Sequence, residues 1–173
     1  MKRRTVLAQL ALAVLWNSKV RYVSATQNRQ KVLSGNNESL IEPLPQLNTP
    51  MSEWKQILPE PAYNVLFQNG TEPPFSSPLD NEKRNGIYAC RACNLALFTS
   101  NMKYDSGTGW PSFFTSIENH LGKSRDYRLI FPRTEYHCLK CGGHQGHLFR
   151  DGPAPTYERW CNNGVSLIFT PRT

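Results

Sequence analysis

The sequence predicts a mainly β, antiparallel domain, preceded by two short helices and pinned by a four-cysteine zinc site. Three observations lead there. From Gly86 onward, apolar stretches of three to six residues alternate with Gly, Pro and Asn clusters, the pattern of short antiparallel strands. Thirteen prolines and 11 glycines in 173 residues call for many turns. Four of the five cysteines fall in two C-x-x-C pairs, Cys90/Cys93 and Cys138/Cys141.

The N-terminal 25 residues read as a separate address. They hold Lys2, Arg3, Arg4, Lys19 and Arg21 and no acid. The whole chain carries 20 basic against 13 acidic residues and a net charge of +7; without those five, 15 basic residues face 13 acidic ones. The remainder is too nearly balanced for a surface that tracks phosphates, so a nucleic-acid partner is not expected. The apolar run Val6–Trp16 would span about 16 Å as a helix, against a hydrocarbon core of about 30 Å, so stable membrane insertion is not expected either. Arg3-Arg4-Thr5-Val6-Leu7 resembles a twin-arginine export signal, and Val23-Ser24-Ala25 offers small residues for cleavage. Residues 1–25 are therefore expected to be a signal peptide, and the protein to be exported to a periplasm or equivalent lumen. The alternatives are an organelle transit peptide, since residues 1–37 lack acids, or a cytoplasmic protein if this segment is no signal. Residues 26–48 are mostly polar and read as a linker. The folded domain is expected over 49–173.

Within that domain, Thr49-Pro50 predicts an N-cap and first helical residue. Trp54, Ile57 and Leu58 form the helix's apolar stripe, which Pro59 ends. A second helix is predicted over about Pro61–Asn69, with Tyr63, Leu66 and Phe67 on one face and Gly70 as its stop. These stripes predict core packing. The strand candidates are Ile87–Ala89, Leu95–Thr99, Tyr127–Phe131, Glu135–Cys138, His147–Phe149 and Val165–Thr170. The sequence offers no phosphate-cradling glycine loop.

Each C-x-x-C pair can close a tight turn with both sulfurs on one side. Two such turns face to face supply four thiolates in a tetrahedron, the donor set of a closed structural zinc site. Asn94 and Gly142-Gly143 follow the pairs and tolerate the bent backbone such turns need. Two disulfides are the main alternative, favoured in an oxidising compartment. A redox-active pair is a further one, though its usual βαβ setting is missing. His137 is an alternative ligand beside Cys138. Cys161 is left over as an intermolecular bridge, an inert buried residue or a reactive thiol. Arg159, two residues earlier, would share its face on a strand and lower its pKa. His144 and His147 flank a glycine whose turn could bring both rings near one point. These neighbours favour the reactive thiol.

Four runs occur in order around the cysteine pairs: Thr71-Glu72-Pro73-Pro74-Phe75, Tyr104-Asp105-Ser106-Gly107-Thr108-Gly109-Trp110-Pro111-Ser112-Phe113, Gly146-His147-Leu148-Phe149-Arg150-Asp151-Gly152-Pro153 and Arg159-Trp160-Cys161. Together they resemble the methionine-R-sulfoxide reductases of the B type, or SelR domain, over about Ser52–Thr170. The resemblance implies two antiparallel sheets, with one structural zinc held by Cys90, Cys93, Cys138 and Cys141 remote from the active site. It implies Cys161 as the nucleophile on the sulfoxide sulfur. His144 and His147 would hold the sulfoxide oxygen, and Asn163 would bond within the site. Trp110 would receive the substrate methyl group, with Phe113 as a further apolar wall, while Asp151 and Arg159 would orient and polarise the centre.

The chain also departs from the family pattern. Trp160 stands where many members have Tyr, Asn162 where an apolar residue is common, and Arg150 where an acid is common. Thr108 occupies the position at which some members carry a resolving cysteine. The resemblance thus implies a one-cysteine peptide-methionine (R)-S-oxide reductase that repairs oxidised proteins or reduces free methionine-R-sulfoxide. A thioredoxin-like protein or a small thiol would recycle it, and a monomer is expected. Its competitors are a zinc-stabilised β domain that only binds a partner, and a thiol–disulfide oxidoreductase using C-x-x-C.

Overall fold

A computed structural model describes residues 44–128 and 131–172. The expected signal peptide, and all of the expected linker before residue 44, lie outside the described residues. Two helices open the domain: α1 (Met51–Ile57) and α2 (Glu60–Gln68). Pro50, rather than Thr49, occupies the N-cap of α1, and no side chain caps that end. The stop of α2 is Asn69 in the left-handed conformation, one residue before the expected glycine; asparagine tolerates that region through local hydrogen bonding. Trp54 stacks on Phe67 at 5.4 Å, and Leu66 is buried. Ile57 is exposed, so the α1 stripe is narrower than its sequence suggests.

Among the described residues nine strands follow: β1 (Gly86–Cys90), β2 (Ala96–Thr99), β3 (Lys103–Tyr104), β4 (Ser112–Phe113), β5 (Leu121–Asp126), β6 (Arg133–Cys138), β7 (His144–Phe149), β8 (Arg159–Asn162) and β9 (Leu167–Pro171). They form a three-stranded sheet, β2-β1-β9, and a six-stranded sheet, β3-β4-β8-β7-β6-β5. Every pairing is antiparallel. The mainly β fold in two antiparallel sheets is as expected.

The strand expected over Tyr127–Phe131 falls partly on residues 129 and 130, which lie outside the described residues; at its described positions Tyr127 and Phe131 are exposed and in no strand, and the edge strand β5 ends just before them at Asp126. An edge strand with one solvated face needs no apolar run, so composition points to the wrong segment. The Val165–Thr170 stretch begins as a 3-10 turn at Gly164–Ser166 before β9.

Aromatic side chains tie the two sheets together. Phe98 on β2 stacks on Phe113 of β4 at 4.0 Å, and Tyr88 on β1 meets Phe113 edge-on at 5.0 Å. Tyr136 on β6 and Trp160 on β8 complete the layer at 4.9 Å. Each buried aromatic removes a large apolar area from water, and each ring pair adds about 0.5–1.5 kcal/mol from its geometry. This layer covers one face of the six-stranded sheet; the opposite face carries the candidate site. Among the described residues no helix is long and apolar enough to cross a membrane.

Candidate active site and cysteine cluster

Strand alternation and register build the site. Cys161 on β8 stands opposite His147 on β7 and Ser112 on β4. His147 in turn faces Glu135 on β6, which faces Ser124 on β5. One row of side chains therefore runs across the sheet on the face away from the aromatic layer. Arg159, two residues before Cys161, shares that face with Phe149 opposite it.

His144 and His147 are three apart, a spacing that regular alternation would send to opposite faces. A bulge corrects this. Tyr136 pairs with Gly146, but His137 pairs with His144, so Gln145 is the extra residue. Both imidazoles consequently lie on one face, 5.3 Å apart. The bulged strand, not the expected glycine turn, unites them. Gly146 has a separate role: a Cβ there would collide with the Cys161 carbonyl oxygen, so glycine lets β7 and β8 approach.

The face opens into a cavity of about 230 Å³ lined by Cys161, His147, Trp110, Asn163, Arg159, Phe149, Arg133, Thr108 and neighbouring backbone. Trp110 is fixed by its indole N–H, which donates to the Glu72 carbonyl at 3.1 Å. Asn163 accepts from the Glu72 backbone N–H at 3.0 Å and donates to the Gln145 carbonyl at 3.0 Å. The Glu72 carboxylate accepts from the backbone N–H groups of Gly164 and Val165. Burial pushes the pKa of Glu72 up.

Each histidine is held by its own carboxylate. His147 Nε2 lies 2.8 Å from Asp126, and His144 Nδ1 lies 2.7 Å from Glu135. Asp126 also accepts from Arg133 at 2.8 Å and from the Arg128 backbone N–H, and its pKa is depressed, chiefly by that backbone bond and then by His147. An ionised carboxylate only accepts, so the proton of the His147–Asp126 bond sits on Nε2. Burial lowers the pKa of both histidines, against the pull of the carboxylates. Their resting form near neutrality is the neutral ring.

Arg159 donates to both oxygens of Asp151 at 2.8 Å and stacks on Phe149 at 4.3 Å. Arg159 and Thr108 both favour the Cys161 thiolate, but burial outweighs them and pushes the thiol pKa up. Arg159 acts in the expected direction, and burial outweighs it. Reaching an apolar-backed cavity costs the anion more solvation than one guanidinium restores.

The structure gathers Cys161, His147, Trp110, Asn163 and Arg159 at the cavity. His144 lies behind His147, and Asp151, bonded to Arg159, does not line the cavity. Phe113 is corrected: it is fully buried in the aromatic layer, because its neighbours on β4 alternate and Ser112 takes the site face. Phe149 lines the cavity instead. Sequence reading missed Asp126, Glu135, Arg133 and Glu72. Arg133 and Glu135 leave a trace, because they alternate with Thr134 and the buried Tyr136. Glu72 and Asp126 leave none, because their partners are distant in sequence.

The departures from the family pattern also find places. Asn162 is fully buried, and its side chain accepts from Tyr136 Oη at 2.9 Å and donates to the Asn163 carbonyl at 2.8 Å. Its polar atoms are satisfied, so it packs without the desolvation cost of an unpaired amide. Trp160 is buried in the aromatic layer, with its N–H on Glu158 at 3.1 Å. Arg150 is exposed at the end of β7.

The two C-x-x-C turns do face each other. The sulfurs of Cys90, Cys93, Cys138 and Cys141 all lie within 4.8 Å of one another. The Cys90–Cys141 and Cys93–Cys138 separations are 3.6 and 3.5 Å. A tetrahedron with metal–sulfur bonds of about 2.3 Å has edges of about 3.8 Å. The donor set and its dimensions therefore suit a metal ion. The turns close through Asn94 N–H on the Cys90 carbonyl and Gly142 N–H on the Cys138 carbonyl, each at 2.8 Å. Asn94 and Gly142 both have positive φ, 58° and 73°. Gln145 donates to the Cys90 sulfur at 3.3 Å. His137 takes no part; its ring lies over Gly122.

The SelR domain family model matches residues 58–171. The chain belongs to the SelR-domain family. Curated relatives that it resembles bear the name peptide methionine sulfoxide reductase MsrB, among them three bacterial and archaeal proteins. That of Methanosarcina barkeri is 48% identical over 68% of this chain and 83% of its own length. That of Agrobacterium fabrum is 42% identical over 73% and 95%. That of Pseudomonas syringae pv. syringae is 47% identical over 73% and 98%.

Proposed function

We propose that this SelR-domain protein is a peptide-methionine (R)-S-oxide reductase, an oxidoreductase that returns oxidised methionine to its thioether. Its family membership and relatives support the activity. The observation that carries the chemistry is the position of Cys161, directly across from His147 in a cavity walled by Trp110.

The Cys161 sulfur attacks the sulfoxide sulfur. Charge builds on the sulfoxide oxygen, and a proton must reach it for the sulfur to become electrophilic enough. The ring nitrogen of His147 not committed to Asp126 is the donor when the ring is protonated. The sulfur–oxygen bond of the substrate breaks, methionine leaves as the thioether, and the oxygen stays on Cys161 as a sulfenic acid. Trp110 supplies an apolar wall for the methyl group, opposite the polar histidine. Exchange of methyl and oxygen in the S epimer would put each against the wrong wall. Arg159, oriented by Asp151, favours the attacking thiolate, and Asn163 fixes the loop after β8.

Thr108 lines the same cavity, and the four remaining cysteines sit together in the other cluster. The sulfenic acid is then reduced from outside. One thiol forms a mixed disulfide and releases water, and a second restores Cys161. A thioredoxin-like protein or a small thiol such as glutathione fits this role. We assign the cysteine cluster to one structural zinc, which when bound supplies a rigid cross-link between the β1–β2 and β6–β7 turns. Export through a twin-arginine-like segment, action as a monomer and repair of oxidised proteins complete the reading.

The test is reduction of both methionine sulfoxide epimers with dithiothreitol, by wild type and Cys161→Ser. The R form should be turned over by wild type alone and the S form by neither. Undiminished turnover in Cys161→Ser would overturn the mechanism.

A further inference from the structure

We propose that Ser106 is a positioning residue for the recycling step: it draws the Thr108 hydroxyl proton away from Cys161, so that Thr108 accepts from the sulfenic acid and holds it protonated for attack by the outside thiol. The proposal rests on the reductase reading and extends it to the second half of the cycle.

Three hydroxyls form a chain beside the reactive sulfur. Ser112 stands directly across the strand pair from Cys161 and is fully buried. Its Oγ donates to the Trp110 carbonyl at 3.0 Å. Ser106 Oγ lies 2.8 Å from Ser112 Oγ and 2.8 Å from Thr108 Oγ1. Thr108 lines the cavity with Cys161 and is within hydrogen-bonding reach of its sulfur. A hydroxyl has one proton to give and two lone pairs. The carbonyl only accepts, so it takes the Ser112 proton. Ser112 then accepts from Ser106, and Ser106 accepts from Thr108. The Thr108 backbone N–H, 3.4 Å from Ser106 Oγ, meets the second lone pair there. Every step points away from Cys161, and Thr108 turns a lone pair toward the sulfur.

This chain counts protons. It has four contacts between Cys161 and the Trp110 carbonyl, but three hydroxyl protons. All four contacts are filled only when the group on Cys161 brings a proton of its own. A thiolate or a sulfenate brings none. Thr108 can donate to such an anion only by giving up its bond to Ser106, which leaves one contact of the chain empty. Arg159 pulls the other way and favours the anion, while Asp151 opposes it. His147 on β7, Arg133 on the cavity wall and Tyr104, in register with Ser112 on β3, complete the titratable and charged groups around the sulfur. None of these neighbours accepts from the sulfenic acid in the way Thr108 does.

The protonation state decides the recycling chemistry. The outside thiolate attacks the sulfur of Cys161–S–OH, and the sulfur–oxygen bond breaks. The oxygen keeps its own proton, takes a second from the medium and leaves as water. The attacking sulfur is oxidised into a mixed disulfide as the Cys161 sulfur is reduced. A sulfenate repels the incoming anion and has a far poorer leaving group.

The experiment separates the two halves of the cycle in wild type, Ser106→Ala and Thr108→Ser. The burst of N-acetyl-methionine from N-acetyl-methionine-R-sulfoxide without reductant reads the first half. Reduction of the preformed sulfenic acid by dithiothreitol, followed by intact mass, reads the second. In Ser106→Ala the Thr108 proton is free to turn to Cys161. The second half should then slow about tenfold near neutral pH, the order expected for one hydrogen bond, and the alkaline limb of its pH profile should begin at lower pH. The burst should not slow, because the same proton favours the attacking thiolate. Thr108→Ser keeps the hydroxyl and should match wild type in the second half. An unchanged or faster second half in Ser106→Ala, an unmoved pH profile, equal losses in both halves, or a Thr108→Ser protein as slow as Ser106→Ala would each overturn the proposal. A wild-type chain without a burst would instead overturn the reductase reading, before any variant is compared.

Discussion

The two cysteine regions use the same side chain in opposite settings. At the turns, four sulfurs converge within 4.8 Å and have one another as neighbours. On β8, one sulfur faces a cavity, with an imidazole across the strand and a guanidinium two residues away. The first arrangement is closed and suits a metal that never exchanges ligands. The second leaves the sulfur room for a substrate atom. A cysteine's role here follows from whether its neighbours fill its coordination space or leave it open.

The largest effects should separate the two regions completely. Cys161→Ser should lower turnover by about a thousandfold or more, with a melting temperature within about 2 °C of wild type. Cys138→Ser should do the reverse. It removes a ligand from the proposed zinc site, where a bound metal would contribute to folding, so the melting temperature should fall by roughly 10 °C or more, with loss of that metal. Turnover measured well below that new melting point should survive in part. Metal content by mass spectrometry, calorimetry and the sulfoxide assay read the three quantities. A Cys138→Ser protein that keeps its metal and its melting temperature would break the comparison.

The same division marks what the sequence made legible. C-x-x-C turns are local, so their spacing announced both the turns and the meeting of the sulfurs. Cys161 was legible by arithmetic, as the cysteine left over. The rest of its site depends on register between strands far apart in sequence. Asp126 reaches His147 from across two strands, and Glu72 reaches Gly164 from 92 residues away. No local pattern encodes such pairs. The bulge at Gln145 is a further case, since three-residue spacing alone puts the two histidines on opposite faces. Phe113 shows the converse error. Its place in a specific motif suggested the cavity, while strand alternation sends it to the core and gives the site face to Ser112.

An intermediate effect should come from the carboxylates behind the histidines, and it sharpens why the open site needs support that the closed one does not. Asp126 raises the pKa of His147, while burial, Arg133 and Glu135 also act on that ring. Replacing Asp126 with Asn removes a negative charge, so the protonated ring is lost at lower pH. The decline of kcat/KM as pH rises should therefore begin earlier, and the rate at neutral pH should fall about tenfold to a hundredfold. Glu135→Gln should shift the profile in the same direction but less, because His144 does not line the cavity. A uniform drop with an unmoved pH profile would show that Asp126 only holds the fold.

The smallest effect tests the thiol itself. Burial raises the Cys161 pKa and Arg159 opposes it, so removing the guanidinium should raise it further. In Arg159→Ala, alkylation of Cys161 by iodoacetamide near neutral pH should slow by about tenfold, and its rise with pH should move to more alkaline values. Asp151→Asn should change it by no more than about twofold, because the Asp151 carboxylate is largely exposed and its loss both loosens Arg159 and removes a charge that opposes the thiolate. The four clustered cysteines provide the internal control: with metal bound they should resist the reagent in every variant. Faster alkylation in Arg159→Ala would mean that Arg159 shields the sulfur more than it charges it. The open cysteine would then owe its reactivity to the cavity alone.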